Sequence, residues 1–392
     1  MCAVAKRRVL GSCLMLCAGW FAASPAGVAQ TTRPKLDVPY VPTDMAVVEA
    51  MLKLGEVSDK DYVFDLGCGD GRIVITAAQK YKARGFGVDI DPQRIAESNA
   101  NAAKAGVADR VKFQVADIMV SDVHEASAVM LFLLQSVNIR LRPNLLAELK
   151  PGARVVSHTF DMGDWKPDKS MRHRKAFGGS VYYWVIPAGA GGVWTWKTKL
   201  GDRELRGTLR LEQDFQAVAG AVRLGGAPEA RIEEAALCGT KLRFACTSRV
   251  GSADVKIAYE GTVEGDAING TQKWTGGPSA GTWPWAATRS RPDVAGRWQI
   301  AGDGEGGAAA GVLTIASKDG RPRATFASAA HPRDEQPVPQ FYVWGAAIHF
   351  ETLANGLPAV YKGLLAAGDG RGTLTRDGQK DVPWTAKRLP AK

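Results

Sequence analysis

The sequence predicts an α/β protein: a doubly wound, parallel sheet in its first half, then an all-β region built from two copies of one unit. Three observations carry that prediction. Residues 62–158 alternate short apolar runs with helix-type segments, the βαβα order of a parallel sheet covered on both faces. A glycine-rich turn, Gly67-Cys68-Gly69-Asp70-Gly71, joins the first of those runs to the first of those helices. After about residue 189 helical periodicity fades, and short β-type segments separated by Gly, Asn and Asp recur with a period of roughly 100 residues.

The elements follow in order. Lys6-Arg7-Arg8, an uncharged run over 9–23 and the small-x-small site Gly27-Val28-Ala29 read as a secretory signal peptide over 1–29. The apolar run is roughly 15 residues, short of the roughly 20 that a spanning helix needs, and an uncleaved membrane anchor is the alternative. The next domain is expected over 30–189. A helix over 44–54 precedes a strand over 62–66, and the glycine turn opens a helix over 72–81. A second strand is expected over 85–90, and Asp91 caps a helix that starts at Pro92, a residue suited to the first helical position. A third strand is expected over 111–115. The fourth, over 128–134, is nearly all apolar, as both-face burial requires. A helix over 138–149 ends at Pro151-Gly152, and a fifth strand occupies 154–158. The stretch Pro187-Ala188-Gly189-Ala190-Gly191-Gly192 marks a boundary.

The two β units are expected over 190–291 and 292–392. Gly192-Val193-Trp194 matches Gly296-Arg297-Trp298 at their starts. Trp285-Ala286-Ala287-Thr288-Arg289 matches Trp384-Thr385-Ala386-Lys387-Arg388 at their ends. Between them, Lys241-Leu242-Arg243-Phe244 falls where Ala347-Ile348-His349-Phe350 falls, and Tyr259-Glu260-Gly261 where Tyr361-Lys362-Gly363 falls. One larger β domain is the alternative. The tryptophans recur at unit ends, which suits core packing better than a stacking platform.

Composition excludes several classes. With 45% hydrophobic and 23% charged residues in 392, the chain is globular rather than disordered. Only the N-terminus holds a long apolar run, which argues against many membrane-spanning helices. Loss of 1–29 removes Lys6, Arg7 and Arg8 along with Cys2, Cys13 and Cys17, so the net charge of +10 becomes +7 and Cys68, Cys238 and Cys246 remain. Cys238 and Cys246 flank a turn in a register that does not oppose them, so free thiols are expected. Basic residues are scattered and no nucleic-acid-binding motif is present, so no nucleic-acid partner is expected. Arg172-His173-Arg174-Lys175 is a local basic cluster, either a solvated face or an attraction for an acidic surface. His124, His173, His331 and His349 have no ligand spacing, and no metal is expected.

The chemistry concentrates at strand ends. Asp65 lies two positions before Gly67, Asp89 ends the next strand, and Asp117-Ile118 follows the third. Ligands of such sheets bind at the carboxyl ends of the strands. A dinucleotide fingerprint wants Gly or Ala at position 72, which is Arg, and carboxylates at Asp65 and Asp70 would repel a pyrophosphate. Acidic groups there suit a ligand that carries an ammonium and a sulfonium. No Gly-Lys-Ser/Thr closes the turn, which excludes a P-loop.

Val63-Phe64-Asp65-Leu66-Gly67-Cys68-Gly69-Asp70-Gly71-Arg72 resembles the motif of the class I S-adenosylmethionine-dependent methyltransferases, and the resemblance covers about residues 38–188. The segment Val38-Pro39-Tyr40-Val41-Pro42-Thr43 and the run Leu131-Phe132-Leu133-Leu134-Gln135-Ser136-Val137-Asn138 resemble the subgroup of protein-lysine methyltransferases that modify an ATP-synthase subunit. More distantly, both resemble the non-SET histone-lysine methyltransferases. The resemblance implies a Rossmann-like sheet, S-adenosylmethionine as cofactor and N-methylation of a protein amine. By that resemblance Asp65, Gly67 and Gly69 line the methionine half, Asp89 the ribose, and Asp117 and Ile118 the adenine edge. Tyr40 and Thr43 close over the cofactor, and Leu134, Gln135 and Ser136 face the methyl acceptor. The Asn/Asp-Pro-Pro-Tyr/Phe motif of enzymes that methylate amides and nucleobases is missing.

Methyl transfer to an amine needs alignment and the loss of one proton. His158 and Asp161 follow the fifth strand, point at the same rim and are the candidate catalytic residues; the alternative is that they end a strand and cap a turn. Cys68 is expected to pack rather than react. A signal peptide conflicts with a cytosolic cofactor. The expectations are therefore a periplasmic or secreted enzyme, or one anchored through its N-terminus with a cytosolic face. A third alternative is a non-enzymatic exported binding protein in which the β units make the interactions.

Overall fold

The computed structural model describes residues 40–390, apart from 173–178, 201–202, 252, 277–279, 291–292, 303–309, 319–320, 339–340, 345, 355–356, 367 and 377–380. The expected signal peptide and three residues of the basic cluster, His173, Arg174 and Lys175, lie outside the described residues. Among those described, no helix is long and apolar enough to cross a membrane.

Asp44 accepts a hydrogen bond from the Ala46 amide (2.8 Å) and so caps α1 (Met45–Leu54), which buries Val47, Val48, Met51 and Leu52. The strands β1 (Tyr62–Leu66), β2 (Arg84–Asp89), β3 (Val111–Val115), β4 (Ala128–Leu131) and β5 (Arg154–His158) form parallel ladders in the order β3-β2-β1-β4-β5. Between them run α2 (Arg72–Tyr81), α3 (Pro92–Lys104) and α4 (Gln135–Glu148). Asp91 caps α3 through the Gln93 amide (2.8 Å), with Pro92 at the first position. Side chains of α1, α2 and α3 share one core, and α4 packs in the other. The sheet is therefore covered on both faces.

The five strands expected over 62–158 are parallel, and the sheet continues beyond them. β7 (Ser180–Val185) pairs antiparallel with β5, and β6 (Lys169–Arg172) pairs antiparallel with β7, which makes the seven-stranded sheet mixed. β6 is four residues and mostly exposed, so no apolar run marked it. The fourth strand ends at Leu131 rather than at Leu134, and the helix begins at Gln135 rather than at Asn138. The stripe Val137, Leu141 and Leu145 sets the helix face, and Leu134 stands at the N-cap with an extended backbone and no side-chain cap. Gln135 and Ser136, expected in a loop, thus lie in the first helical turn.

The β region forms two sheets of identical strand order. The first comprises β8 (Gly192–Leu200), β9 (Arg203–Asp214), β10 (Ala217–Leu224), β11 (Ala230–Arg231), β12 (Glu233–Cys238), β13 (Lys241–Val250), β14 (Ala253–Glu264), β15 (Ala267–Thr275) and β16 (Gly281–Arg289). The second comprises β17 (Gly296–Gly302), β18 (Gly311–Lys318), β19 (Arg321–Ser328), β20 (Gln336–Pro337), β21 (Phe341–Trp344), β22 (Ala347–Ala354), β23 (Leu357–Ala366), β24 (Asp369–Arg376) and β25 (Val382–Arg388). In each, the first strand pairs with both the second and the last.

Several packing contacts recur at matched positions of the two sheets. Trp194 and Trp298 are buried, and each indole N–H donates to a carbonyl four residues back, Ala190 and Val294, at 2.8 Å. The guanidinium of Arg289 lies 4.4 Å from the Trp194 ring centre, and that of Arg388 5.6 Å from the Trp298 ring. Phe244 stacks on Tyr259 across one ladder (4.8 Å), as Phe350 does on Tyr361 (4.4 Å). Cys238 faces Lys241 and Cys246 faces Ile257, so the two thiols do not oppose each other.

Candidate active site

The carboxyl ends of β1, β2, β4 and β5 form one rim. Asp65 is 2% exposed near the end of β1, flanked by Gly87 and Met130 on the neighbouring strands. Its Oδ2 is buried with no hydrogen-bond partner. Burial, then the Asp89 and Asp70 carboxylates, raise its pKa to about 8. A neutral acid in a buried position at neutral pH is ready to ionise when a cation arrives.

The turn after β1 is stitched to the end of β2. The Gly67 and Cys68 amides donate to the Val88 carbonyl (2.8 and 2.9 Å), and the Gly69 amide donates to Asp89 Oδ2 (2.9 Å). Gly69 (φ 54°) and Gly71 (φ 79°) are left-handed, and no side chain fits either. A Cβ on Gly69 would stand 2.5 Å from the Tyr40 ring, and one on Gly71 would stand 2.7 Å from Phe113. Ser98 on α3 donates to the Gly69 carbonyl (2.8 Å) and Asn101 to the Asp70 carbonyl (3.0 Å). Cys68 is buried, and burial followed by the Asp65 and Asp89 charges pushes its thiol far above the ordinary range, so it packs and does not react.

The segment ahead of α1 lies over this turn. Arg72 forks onto the Asp70 carboxylate (2.6–3.1 Å) and donates to the Thr43 carbonyl (2.7 Å). Burial raises the Asp70 carboxyl, but the Arg72 hydrogen bonds outweigh it and the net pKa is lowered. Thr43 is buried, while Tyr40 remains 43% exposed with the Arg94 guanidinium 4.5 Å from its ring centre. The arginine that breaks the dinucleotide pattern is thus the latch of the N-terminal flap.

Beyond β2, Asp89 Oδ1 accepts from the Asp91 amide (2.9 Å). Asp117 Oδ1 accepts from the Met119 amide (2.8 Å), and Ile118 is half-buried. Ile90, Leu134, Tyr40 and Val41 are large apolar side chains left exposed. The turns that bear them all lie at this rim.

The acceptor end is assembled from side chains distant in sequence. His158 is 2% exposed, with its ring centre 4.1 Å from that of Phe132 and its Nε2 so close to Gly179 that a Cβ there would stand 2.6 Å away. Asp161 Oδ1 accepts from the Gly163 amide (2.9 Å), closing a turn, and also from Gln135 Nε2. Asp161 therefore caps a turn and ties α4 to the rim loop at once. Two residues that sequence reasoning missed hold that loop, and a third packs on the glycine turn. Asn138 Nδ2 donates to Ser157 Oγ and to the Phe160 and Asp161 carbonyls (3.1–3.2 Å). Buried Arg142 donates to the Met162 carbonyl (2.9 Å) and pairs with Asp164. Leu133 lies against Gly67, where a Cβ would stand 2.9 Å from it. The available sequence signal was polar Asn and Arg on a helix stripe with leucines, which burial forces to find partners. Among the described residues no group of three His, Cys, Asp or Glu is placed to hold a metal ion.

The model of the ANTKMT methyltransferase domain matches residues 65–169. Over 157 residues the chain is 45% identical to a protein-lysine N-methyltransferase of Saccharolobus islandicus (strain REY15A), a match that covers 38% of this chain and 94% of that one. This chain belongs to the protein-lysine N-methyltransferase family. It is 35% identical to the adenine nucleotide translocase lysine N-methyltransferase of Mus musculus over 34% of its length. It is 32% identical to the ATP synthase c-subunit lysine N-methyltransferase of Homo sapiens, also over 34%. The matches cover 58% and 57% of those two mammalian enzymes, so the chain spans little more than half of each. A solved structure described as an RNA methyltransferase of Salinibacter ruber with S-adenosyl-L-homocysteine shares 45% identity, covers 42% of this chain and 98% of its own, and has a TM-score of 0.36.

The methyltransferase uses S-adenosylmethionine, and its rim fits that cofactor. The unpartnered, buried Asp65 oxygen suits a cationic ligand, and the exposed Ile90 and half-buried Ile118 suit an aromatic base. The cofactor supplies a methyl group already activated on a sulfonium.

Proposed function

We propose that this methyltransferase N-methylates lysine side chains of a protein substrate. The observation that carries the reading is the 45% identity to the Saccharolobus islandicus protein-lysine N-methyltransferase over nearly that protein's whole length. In this reading Asp65, Gly67 and Gly69 receive the methionine half of the cofactor. Asp89 accepts the ribose hydroxyls with its remaining lone pairs, and Asp117 and Ile118 border the adenine. Tyr40 and Thr43, latched by Arg72, close over it and exclude water. Leu134, Gln135 and Ser136 on one side, and His158 and Asp161 on the other, border the lysine. His158, buried against Phe132, takes the ammonium proton directly or through water, since only the free amine attacks. Asp161 orients the entry by fixing Gln135.

The full chain, given labelled S-adenosylmethionine and a lysate of its source organism, tests this. Label recovered as methyl-lysine after hydrolysis is expected; label in RNA, or none in protein, would overturn it. An Asp89→Ala variant that binds cofactor as tightly as wild type would refute the ribose placement.

We further propose that residues 1–29 direct the chain into or across a membrane, on the strength of the basic, apolar and small-residue order. A C-terminal alkaline phosphatase fusion is expected to be active outside the cytosol. An inactive fusion would leave the anchored, cytosol-facing arrangement.

A further inference from the structure

The β9–β10 hairpin reaches out of the first β sheet to the rim loop. Its tip is Asp214, Phe215 and Gln216. Phe215 has φ 52°, a conformation rare for a bulky side chain and kept where surroundings over-determine it. Its ring stacks on Trp165 at 5.8 Å with 22° between the planes, 5.2 Å from the Arg142 guanidinium. Gln216 Oε1 accepts from the Trp165 indole N–H (2.9 Å), while its Nε2 donates to the Lys166 carbonyl (2.6 Å). Trp165 is fully buried, and its carbonyl accepts from Trp184 on β7 (2.9 Å). The second sheet braces the same place. Lys362 pairs with Asp214 (2.7 Å), Glu351 lies 3.5 Å from Arg142, and the His349 ring is 6.2 Å from Phe215.

The loop over 159–165 is thus gripped from two directions. Asn138 and Arg142 of α4 hold its start and middle, and the hairpin tip holds its end at Trp165. The first grip lies inside residues 65–169, the span matched by the family model. The second comes from the β region, beyond that span.

We propose that Phe215 and Gln216 are positioning residues for the acceptor rim: through Trp165 they hold the loop that carries Asp161, so that the first β unit sets how the acceptor is received. The inference rests on the reading of that rim as the acceptor side. The effect is expected on the acceptor and not on the cofactor, because among the described residues the tip contacts Trp165, Lys166, Arg142 and the second sheet.

The test uses the full chain with Phe215→Gly, which keeps the left-handed turn and removes the ring, and with Gln216→Ala. Three readouts separate the outcomes: amide exchange over 158–168, calorimetric binding of S-adenosyl-L-homocysteine, and steady-state methylation of poly-L-lysine. The double variant is expected to exchange about tenfold faster in that loop, as loss of one or two hydrogen bonds and a ring contact implies. The KM for poly-L-lysine is expected to rise about tenfold, with kcat and cofactor affinity within about twofold of wild type. Phe215→Gly alone, which keeps the Gln216 oxygen that accepts from Trp165, is expected to show a smaller rise in KM than the double variant. Unchanged exchange, unchanged KM in a loosened loop, or a parallel loss of cofactor binding would each overturn the proposal. If wild type does not methylate poly-L-lysine but methylates other macromolecules, the lysine reading fails alone, and the exchange measurement still decides whether the hairpin holds the loop.

Discussion

The two ends of the rim are built by opposite means. The cofactor end is made of backbone. Gly67, Cys68 and Gly69 donate amides to the end of β2, and Gly67, Gly69 and Gly71 let Leu133, Tyr40 and Phe113 pack closer than a Cβ would allow. The acceptor end is made of side chains from three separate elements: Asn138, Arg142 and Gln135 of α4 donate to carbonyls and a carboxylate of the rim loop, Trp165 of that loop donates to Gln216, and Gln216 of the hairpin tip donates to the Lys166 carbonyl. A backbone turn is specified within ten residues of sequence and serves any acceptor. A side-chain lattice can be rebuilt piece by piece without disturbing the cofactor. If that contrast holds, changes at the first end should damage fold and cofactor binding together, and changes at the second should spare the cofactor.

The largest effect is expected from Gly71→Ala. The new Cβ would meet Phe113 at 2.7 Å and Ser98 Oγ at 2.9 Å, in a left-handed residue. The left-handed penalty of about 1–2 kcal/mol and overpacking of about 1–3 kcal/mol together predict a loss of roughly 3 kcal/mol. Urea unfolding measures it, and cofactor affinity should fall with it. Asn138→Ala comes next, at about 2 kcal/mol for the buried acceptors it strands. Calorimetry should find its cofactor affinity unchanged, and a parallel loss would break the contrast.

The same contrast explains what the sequence discloses. Asp65, the glycine turn, Asp89 and the capped start of α3 are local, so spacing places them. The repeat was legible because Trp194 with Arg289, and Trp298 with Arg388, recur as cores do. The acceptor end was read only as a rim with His158 and Asp161 on it and a facing segment of Leu134, Gln135 and Ser136. Asn138 meets Phe160 across 22 positions, and Trp165 meets Gln216 across 51, separations that no local pattern encodes. β6 and β7 were missed for a related reason: pairing with a parallel sheet's edge depends on register, and β6 has no apolar face to announce it.

A subtler effect concerns Asp65. Its folded pKa of about 8 lies above the unfolded carboxylate value, so the acid stabilises the fold fully below that unfolded value and loses the contribution as pH rises through about 8. Unliganded wild type should therefore lose stability relative to Asp65→Asn between about pH 4 and pH 8. Cofactor binding runs the other way. If the cation draws Asp65 into its ionised form, affinity should gain up to about tenfold per pH unit below pH 8, and the variant should lack that slope. The ligand's own amine titrates equally in both proteins, so the difference between the two curves isolates Asp65. Coincident curves would remove Asp65 from the cofactor end.

The smallest effect sharpens the contrast most, because it separates a latch from a wall. Arg72→Lys keeps the positive charge beside Asp70 but loses the planar fork, and a lysine cannot hold Asp70 on two atoms while reaching the Thr43 carbonyl. The pair is partly exposed, so the fold should lose less than about 1 kcal/mol. The Tyr40–Thr43 segment, however, is joined to the glycine turn through that guanidinium. Its release should appear as faster cofactor dissociation, by roughly threefold to tenfold, with association little changed. Stopped-flow binding gives the two rates separately. Equal dissociation rates would mean that the flap rests on Tyr40 packing against Gly69 alone, and that the cofactor end, too, is built of backbone and contact surface without a side-chain latch.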